Sequence, residues 1–366
     1  MTATRLLALS CAVWLGACDS DSNGSGTDGE TDSGTDSADT GDAATADPPA
    51  STSGPGSNTD SDPSNGSTSE DPTDPTDDAS GEPTDDTADP TDDPTDVDPG
   101  GPQIPEVQGE CPEFPLAPLG SPAQVTFPVG SGTRQALVWH DPSKGGGGPL
   151  VFYFHGGGGD PAGAEATVTS DAIEDILARG GVVIAPISDP AAEIDWFLTT
   201  GSAQNDVVMQ DSMVACAFEV ANIDPYHIHA VGFSAGGIHV GISSLLRASY
   251  MASTITYSGG VYGGVTPDTD DAAPSTLAFH GGPSDEVGGV PFNQASALYA
   301  SQVRDRGGYA LECDHGTGHG YPDNVDGVFR RADTYNFLMD HPWGVTPLPY
   351  PGDGIPEWVP PYCSEQ

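Results

Sequence analysis

Ser234 lies at the centre of Gly232-Phe233-Ser234-Ala235-Gly236, a residue pattern that suits a nucleophilic serine. The apolar-alternating run from Tyr226 to Val231 precedes it and predicts a strand, and the residues from Gly237 to Arg247 predict a helix. A G-x-S-x-G segment between a strand and a helix is typical of a nucleophile elbow, a strained turn that exposes the serine Oγ above the sheet. Ser234 is therefore the candidate nucleophile.

A nucleophilic serine needs a base, and the histidines that follow Ser234 are the candidates. His319 lies in the loop after the last predicted strand, between two glycines and ahead of Tyr321-Pro322. His315 lies in the same loop and is the alternative base. We expect His319 to take the proton of Ser234. Helix packing, turn formation or a helix end explain the remaining histidines of this half of the chain, which are His239, His280 and His341.

The base in turn needs an acid that orients it, and Asp285 is the candidate. This residue follows the predicted strand Thr276 to His280 through a short turn, which places it at the carboxyl edge of the sheet. Glu286 is the neighbour that could take its place. The carboxylate would accept the Nδ1–H of His319 and stabilise the imidazolium that forms during the reaction.

Two backbone N–H groups are candidates for stabilising the oxyanion of the reaction. The apolar run Leu150 to Phe154 leads directly into His155-Gly156-Gly157-Gly158-Gly159. A glycine-rich turn after an early strand can aim its N–H groups at an oxyanion without obstruction by a Cβ atom. We assign one donor to Gly157 and the other to Ala235, the residue after the nucleophile.

Strands and helices alternate along the rest of this region, which predicts an α/β fold with a mostly parallel sheet and helices on both faces. The tail from Pro342 to Gln366 is rich in proline and aromatic residues, and we expect it to lack regular structure. The other predicted strands are Gln135 to His140, Val182 to Pro186, Ser253 to Tyr257 and Tyr309 to Glu312. The other predicted helices are Asp171 to Arg179, Asn205 to Ala221, Phe292 to Arg306 and Val325 to Asp340.

Five motifs, in this order, resemble those of the α/β-hydrolases, specifically the secreted branch with polyhydroxybutyrate depolymerases, feruloyl esterases and acetyl xylan esterases. The resemblance covers roughly the residues from Val125 to Asp340. The motifs are the turn His155 to Gly159, the pair Asp224-Pro225 before the elbow strand, the elbow Gly232 to Gly237, the turn His280-Gly281 with Asp285, and the segment Gly318-His319-Gly320-Tyr321-Pro322.

The resemblance implies a serine hydrolase that cleaves carboxylic esters through an acyl-enzyme, without a cofactor or a metal. Its triad would be Ser234, His319 and Asp285. The expected substrate is an acyl group linked to a polysaccharide, or a polyester. Two alternatives remain open. One is a serine peptidase of the prolyl-oligopeptidase type, and the other is a non-catalytic surface protein that uses the same fold for binding.

The N-terminal third of the chain does not have the composition of a folded domain. Residues 1–17 read as a signal peptide, and Leu15-Gly16-Ala17-Cys18 resembles a bacterial lipobox that would place a lipid on Cys18. From Asp19 to Glu110 the chain has 26 acidic residues and no Lys or Arg. Residues 18–110 are therefore expected to form a disordered spacer, since they offer no apolar face and repel one another. The protein is expected to be an exported lipoprotein of the outer membrane or cell surface.

Residues 111–366 are expected to form the hydrolase domain. They contain 29 acidic and 8 basic residues. Such a charge argues against nucleic acid and anionic membranes as partners, so any contact with a membrane would come through the lipid anchor alone.

The four cysteines of this part have no zinc-site spacing, and in an exported protein they predict two disulfides. The sequence leaves all three pairings open. They are Cys111, Cys216, Cys313 and Cys363.

Overall fold

The computed structural model describes residues 100–365, with gaps at 193, 200, 271, 323–328, 347 and 352–353. The predicted signal peptide, Cys18 and almost all of the predicted spacer lie outside the described residues. The strands are β1 (Ala123–Val129), β2 (Gly132–His140), β3 (Leu150–Phe154), β4 (Val182–Pro186), β5 (Ile228–Phe233), β6 (Ser253–Tyr257), β7 (Ser275–His280), β8 (Glu286–Val287), β9 (Val290–Pro291), β10 (Ala310–Asp314) and β11 (Cys363–Ser364). The helices are α1 (Ser170–Ala178), α2 (Gln204–Ala221), α3 (Ala235–Leu246), α4 (Phe292–Arg304) and α5 (Thr334–Asp340).

Nine of these strands form one sheet in the order β1-β2-β4-β3-β5-β6-β7-β10-β11. The six strands from β4 to β10 in this order are parallel to one another. On one side β2 pairs antiparallel with β4 and β1 pairs antiparallel with β2, and on the other side β11 pairs antiparallel with β10. Because parallel strands end at the same edge, the loops that follow β3, β5, β6, β7 and β10 meet there. The predicted mostly parallel sheet is confirmed.

Helices cover both faces of this sheet, as predicted. Val151 and Tyr153 of β3 pack in one cluster with residues of α1 and α5. Phe152 and Phe154 of the same strand point the other way and pack with residues of α2 and α3, and α4 packs with α3 on that same face. β3 and β4 are buried on both faces, which is why their sequences are continuous apolar runs without polar alternation.

Two predictions at the C-terminal end were wrong. The predicted helix Val325 to Asp340 does not extend over all its described residues: residues 325–328 lie outside them, Phe329 and Arg330 are not helical, and a 3-10 turn at Arg331–Asp333 leads into α5. The tail does contain regular structure, because Cys363–Ser364 forms β11 and pairs with β10.

Both disulfides form, and the structure selects one of the three possible pairings. Cys111 is bonded to Cys216 of α2, and Cys313 of β10 is bonded to Cys363 of β11. The first bridge ties the segment before β1 to a helix, and the second holds the tail against the sheet. None of the helices in the described residues has the length and apolarity that a membrane span requires.

Candidate active site

Ser234 lies on the tight turn between β5 and α3. Its backbone has φ 53° and ψ −119°, a conformation that non-glycine residues rarely adopt and that costs free energy. The turn is held by a hydrogen bond from the N–H of Ser234 to the carbonyl of Tyr257, at 2.9 Å. The result is the geometry of a nucleophile elbow, with the side chain partly exposed at the carboxyl edge of the sheet.

Gly236 is required for this turn because the helix passes very close to the end of β3. A Cβ atom built on Gly236 would lie 2.1 Å from the carbonyl oxygen of Phe154 and 2.4 Å from that of His155. Any side chain here would have to separate α3 from β3. The glycine of the motif therefore sets the distance between the nucleophile and the loop that follows β3.

His319 joins Ser234 to Asp285. Its Nε2 lies 2.9 Å from the Oγ of Ser234, and its Nδ1 lies 2.8 Å from the Oδ1 of Asp285. A carboxylate can only accept, so Nδ1–H donates to Asp285, and Nε2 is then free to accept the proton of the serine hydroxyl. The side chain of Asp285 is fully buried, whereas that of His319 is 20% exposed and can be reached from outside.

The two alternative residues lie elsewhere. His315 is buried, and its Nδ1 lies 2.6 Å from the hydroxyl of Thr317, on the same loop. Glu286 is exposed in the short strand β8. The structure therefore brings together Ser234, His319 and Asp285, the three residues favoured from the sequence.

Asp285 is held by more than the histidine. Its Oδ2 accepts hydrogen bonds from the hydroxyl of Ser258 and the backbone N–H of Gly281, both at 2.8 Å. Burial raises the pKa of Asp285, but the hydrogen bonds from His319, Gly281 and Ser258 outweigh it and hold the pKa below its usual range. The acid is therefore an ionised carboxylate, poised to stabilise a charged His319.

Ser258 was not among the residues predicted from the sequence. A signal was present, because Ser258 directly follows the predicted strand Ser253 to Tyr257 and so lies at the same edge as the other site residues. Its backbone φ of 47° is unusual for a serine, and its Oγ also lies 3.4 Å from the N–H of Gly320, next to the base. Ser258 thus contacts both the acid and the loop of the base.

Aromatic rings hold the base loop in place. The ring of His319 lies between those of Phe233 and Phe292, with centroids 5.2 and 4.5 Å away. The ring of Tyr321 stacks on Phe233 at 4.6 Å, and its hydroxyl lies 2.9 Å from that of Thr167. Thr167 belongs to a single π-helical turn at Glu165–Thr169, a geometry often found at functional sites.

The two predicted oxyanion donors lie side by side. A Cβ atom built on Gly157 would lie 4.0 Å from the Cβ of Ala235 and 2.7 Å from the Cγ2 of Ile194. Within the described residues, the N–H groups of Gly157 and Ala235 donate no hydrogen bond to the protein. Both therefore remain candidate donors to an oxyanion.

The segment after β4 fixes the loop that carries Gly157. The carboxylate of Asp195 accepts a hydrogen bond from the N–H of Gly158, and the indole of Trp196 donates to the carbonyl of His155 at 2.8 Å. Asp195 also accepts from the hydroxyl of Ser188 at 3.2 Å. These supporting residues were not predicted from the sequence. Among the described residues there is no cluster of three or more His, Cys, Asp or Glu side chains that could hold a metal ion.

Comparison with known proteins supports the fold alone. No family model and no curated protein matches the chain. The structure described as native pOPH superposes with a TM-score of 0.52 at 18% identity, covering 70% of this chain and 96% of that one. Native sOPH gives 0.50 at 20%, with the same coverages. An esterase from Pyrobaculum calidifontis gives 0.45 at 19%, covering 61% and 85%. The chain has the α/β-hydrolase fold.

Proposed function

We propose that this protein is a serine hydrolase that cleaves carboxylic esters through an acyl-enzyme. The observation that carries the proposal is the continuous hydrogen-bonded chain from Asp285 through His319 to the Oγ of Ser234. Ser234 occupies a strained elbow next to two free N–H groups, which is the arrangement that acyl transfer needs.

In the acylation step, the Oγ of Ser234 attacks the carbonyl carbon of the ester while the Nε2 of His319 takes the hydroxyl proton. The carbonyl oxygen becomes an oxyanion and accepts hydrogen bonds from the N–H groups of Gly157 and Ala235. The tetrahedral intermediate collapses, the C–O bond to the alcohol breaks, and His319 gives its proton to the departing alkoxide. Asp285 stabilises the positive charge on His319 throughout.

Deacylation repeats these steps with water. His319 takes one proton of the water, the resulting oxygen nucleophile attacks the acyl-enzyme, and Ser234 leaves with the proton that His319 returns. The products are a carboxylic acid and a free enzyme. The chain's own residues provide every proton transfer in this sequence.

The proposed substrate is an acyl group linked to a polysaccharide, or a polyester, as in the branch of hydrolases that the sequence motifs resemble. We also propose that the domain is exported and attached to the cell envelope through a lipid on Cys18, with residues 18–110 as a spacer. Two disulfides support export, because disulfides persist in oxidising compartments. A long spacer would let an anchored domain reach a substrate outside the cell.

Labelling with a fluorophosphonate and hydrolysis of p-nitrophenyl acetate test the activity. The wild type should be labelled and should hydrolyse the ester, and Ser234→Ala should lose labelling completely and hydrolysis by at least about a thousandfold. Ser301→Ala, a serine in α4, is the control and should behave as the wild type.

Two results would contradict the proposal. A wild type that is neither labelled nor active on any ester would indicate the non-catalytic binding protein. Labelling at Ser234 with cleavage of peptides but not of esters would indicate the peptidase.

A further inference from the structure

A buried histidine and a buried glutamate lie next to the turn that carries Asp285, and the proposed chemistry uses neither of them. His280 is the last residue of β7, and Glu312 lies on the neighbouring strand β10. Only 5% of the His280 side chain and 9% of the Glu312 side chain are exposed. Burying a carboxylate costs free energy unless its partner compensates for the lost water, so the presence of this pair between two strands needs a reason.

The hydrogen bonds of the His280 ring fix its orientation. The N–H of Gly282 donates to the Nδ1 of His280 at 3.1 Å, so Nδ1 carries no proton. The Nε2–H of the same ring then donates to the Oε1 of Glu312, also at 3.1 Å. One partner belongs to the turn that follows β7 and the other belongs to β10. The ring therefore ties the turn to the strand.

This turn sets the position of the candidate acid. It is a 3-10 turn that begins at Gly282 and leads into Asp285, whose N–H donates to the carbonyl of Gly282 at 3.0 Å. The N–H of Gly281 donates to the Oδ2 of Asp285 at 2.8 Å. Because His280 holds the turn at Gly282, its ring lies between these two contacts of the acid along the chain.

The same turn accepts hydrogen bonds from the loop of the base. The N–H of His315 donates to the carbonyl of His280 at 2.9 Å, and the N–H of Gly318 donates to the carbonyl of Gly281 at 3.0 Å. A Cβ atom built on Gly281 would lie 1.8 Å from the carbonyl oxygen of Gly318, so the two chains are in very close contact. Gly318 directly precedes His319. The acid and the base are therefore both attached to the short segment His280-Gly281.

β10 holds the other side of this attachment. Asp314, its last residue, accepts a hydrogen bond from the N–H of Gly316 at 3.0 Å, and the same carboxylate oxygen lies 3.7 Å from the Nδ1 of His280. The start of the base loop is thus held by β10. Glu312, two residues earlier on the same strand, holds the ring of His280. A shift of that ring would change how the acid turn lies against the base loop.

We propose that His280 and Glu312 are positioning residues for the proposed ester hydrolysis. Glu312 orients the ring of His280, and the ring holds the turn at which the loops of Asp285 and His319 meet. Neither side chain touches the substrate or the reacting atoms. This role rests on the proposed function. Its size follows from geometry, because a misplacement of about 1 Å in a catalytic group can cost about a hundredfold in rate.

Two variants of Glu312 test whether the ring needs its acceptor. Glu312→Leu has no acceptor for the Nε2–H of His280, so kcat for p-nitrophenyl acetate should fall by at least about tenfold while KM stays within about twofold. Glu312→Gln keeps a side-chain carbonyl oxygen as acceptor and should retain kcat within about threefold of the wild type. Rates are expressed per site titrated with a fluorophosphonate, so that unfolded molecules do not contribute.

A matched pair of histidine variants separates positioning from stability. His280→Ala should lower kcat per titrated site by at least about tenfold. His229→Ala is the control. His229 is buried near the start of β5, at the opposite edge of the sheet, and its Nδ1 lies 2.9 Å from the hydroxyl of Ser253. Its loss should lower the free energy of unfolding but leave kcat per titrated site within about twofold of the wild type.

Hydrogen exchange of backbone N–H groups, measured by NMR, gives a readout that does not depend on catalysis. In Glu312→Leu the N–H groups of Gly281 and Gly318 should exchange at least about tenfold faster, beyond any change at Ala230 in the middle of β5. Equal kcat per titrated site in Glu312→Leu and the wild type would overturn this role, as would an equal loss in Glu312→Gln and Glu312→Leu. A wild type that hydrolyses no ester overturns the proposed function, and exchange at Gly281 and Gly318 still decides whether the pair holds the two loops together.

Discussion

The side chain of Ser258 supports the acid and the base of the candidate triad at the same time. Its hydroxyl donates to the oxygen of Asp285 that His319 does not use, and it lies beside the backbone of Gly320. Asp285 is fully buried, so each donor it loses leaves a carboxylate with less compensation. Ser258 is therefore a positioning residue for the proposed reaction.

Ser258→Ala should lower kcat for p-nitrophenyl acetate by about tenfold with little change in KM, because a hydrogen bond to a buried charge is lost. The pKa of Asp285 should rise, since one of the bonds that lower it is gone. Activity needs the carboxylate, so at the acidic end of the rate profile, where Asp285 itself takes up a proton, the variant should lose more activity than the wild type. A matched control is Ser296→Ala, which deletes a buried hydroxyl bonded to the carbonyl of Gly259. Identical rate profiles for Ser258→Ala and the wild type would contradict this role.

Among the strands and helices, the contact between α3 and the end of β3 sets the geometry of the candidate site. It brings Ser234, on the turn that leads into α3, close to the Gly157 loop that follows β3. Gly236 permits this contact, because a Cβ atom there would lie 2.1 Å from the carbonyl of Phe154. β3 is a central strand of the sheet and α3 is one of the helices that cover it. Neither can shift without displacing the other.

Gly236→Ala should destabilise the protein by about 1–3 kcal/mol, the usual cost of overpacking, and should reduce fluorophosphonate labelling strongly as Ser234 and Gly157 move apart. Urea unfolding and the labelling rate measure the two effects. Gly263→Ala is the control, because a Cβ atom there has nothing within 4 Å and the backbone φ is not positive. Unchanged labelling in Gly236→Ala would show that the close contact is not needed.

The sequence predicted elements well where burial is uniform. β3, β4 and β6 begin and end at the predicted residues. β3 and β4 are short apolar runs bounded by turn residues, whereas β6 contains Ser and Thr residues beside Ile255 and Tyr257. The elbow strand was placed two residues too early, since its polar histidines gave a misleading alternation. The edge strand β1 was not predicted, and Pro128 within it is tolerated only because an edge strand has unpaired N–H positions.

The sequence predicted the principal residues of the candidate site, but not the residues that hold them in place. Motif order and position at the carboxyl edge are local properties, and they were enough to favour His319 over His315 and Asp285 over Glu286. Ser258, Asp195 and the disulfide pairing depend on which loops meet in space. Which loops meet is set by the order of the strands in the sheet, and no local sequence pattern predicts that order.

At the scale of the whole molecule, buried neutral histidines make stability depend on pH. Burial lowers the pKa of His239 and of His341 to about 4 in each case. An unfolded chain binds a proton on each at about pH 6.5, whereas the folded chain does not. Below pH 6.5 the unfolded state therefore gains protons first, and stability is lost as the pH falls from 6.5 towards 4.

Each of these histidines should reduce the free energy of unfolding by about 2 kcal/mol between pH 7 and pH 5. His341→Asn keeps a donor for the carbonyl of Phe337 but does not titrate, so its stability should fall by about 2 kcal/mol less than that of the wild type over the same range. Urea unfolding at the two pH values measures the difference. Equal losses in the two proteins would show that His341 is not kept neutral by the fold.

The bridge between Cys111 and Cys216 also decides how the domain would respond to mechanical force. Tension on the chain that reaches Cys111 from its N-terminal side passes through the sulfurs into α2. The segment between the two cysteines, which are 105 positions apart and enclose β1 to β4 and the Gly157 loop, is bypassed and carries no tension. In the proposed function, a domain held by its spacer on one side and by a polymeric substrate on the other could be stretched without its Gly157 loop being drawn out of shape.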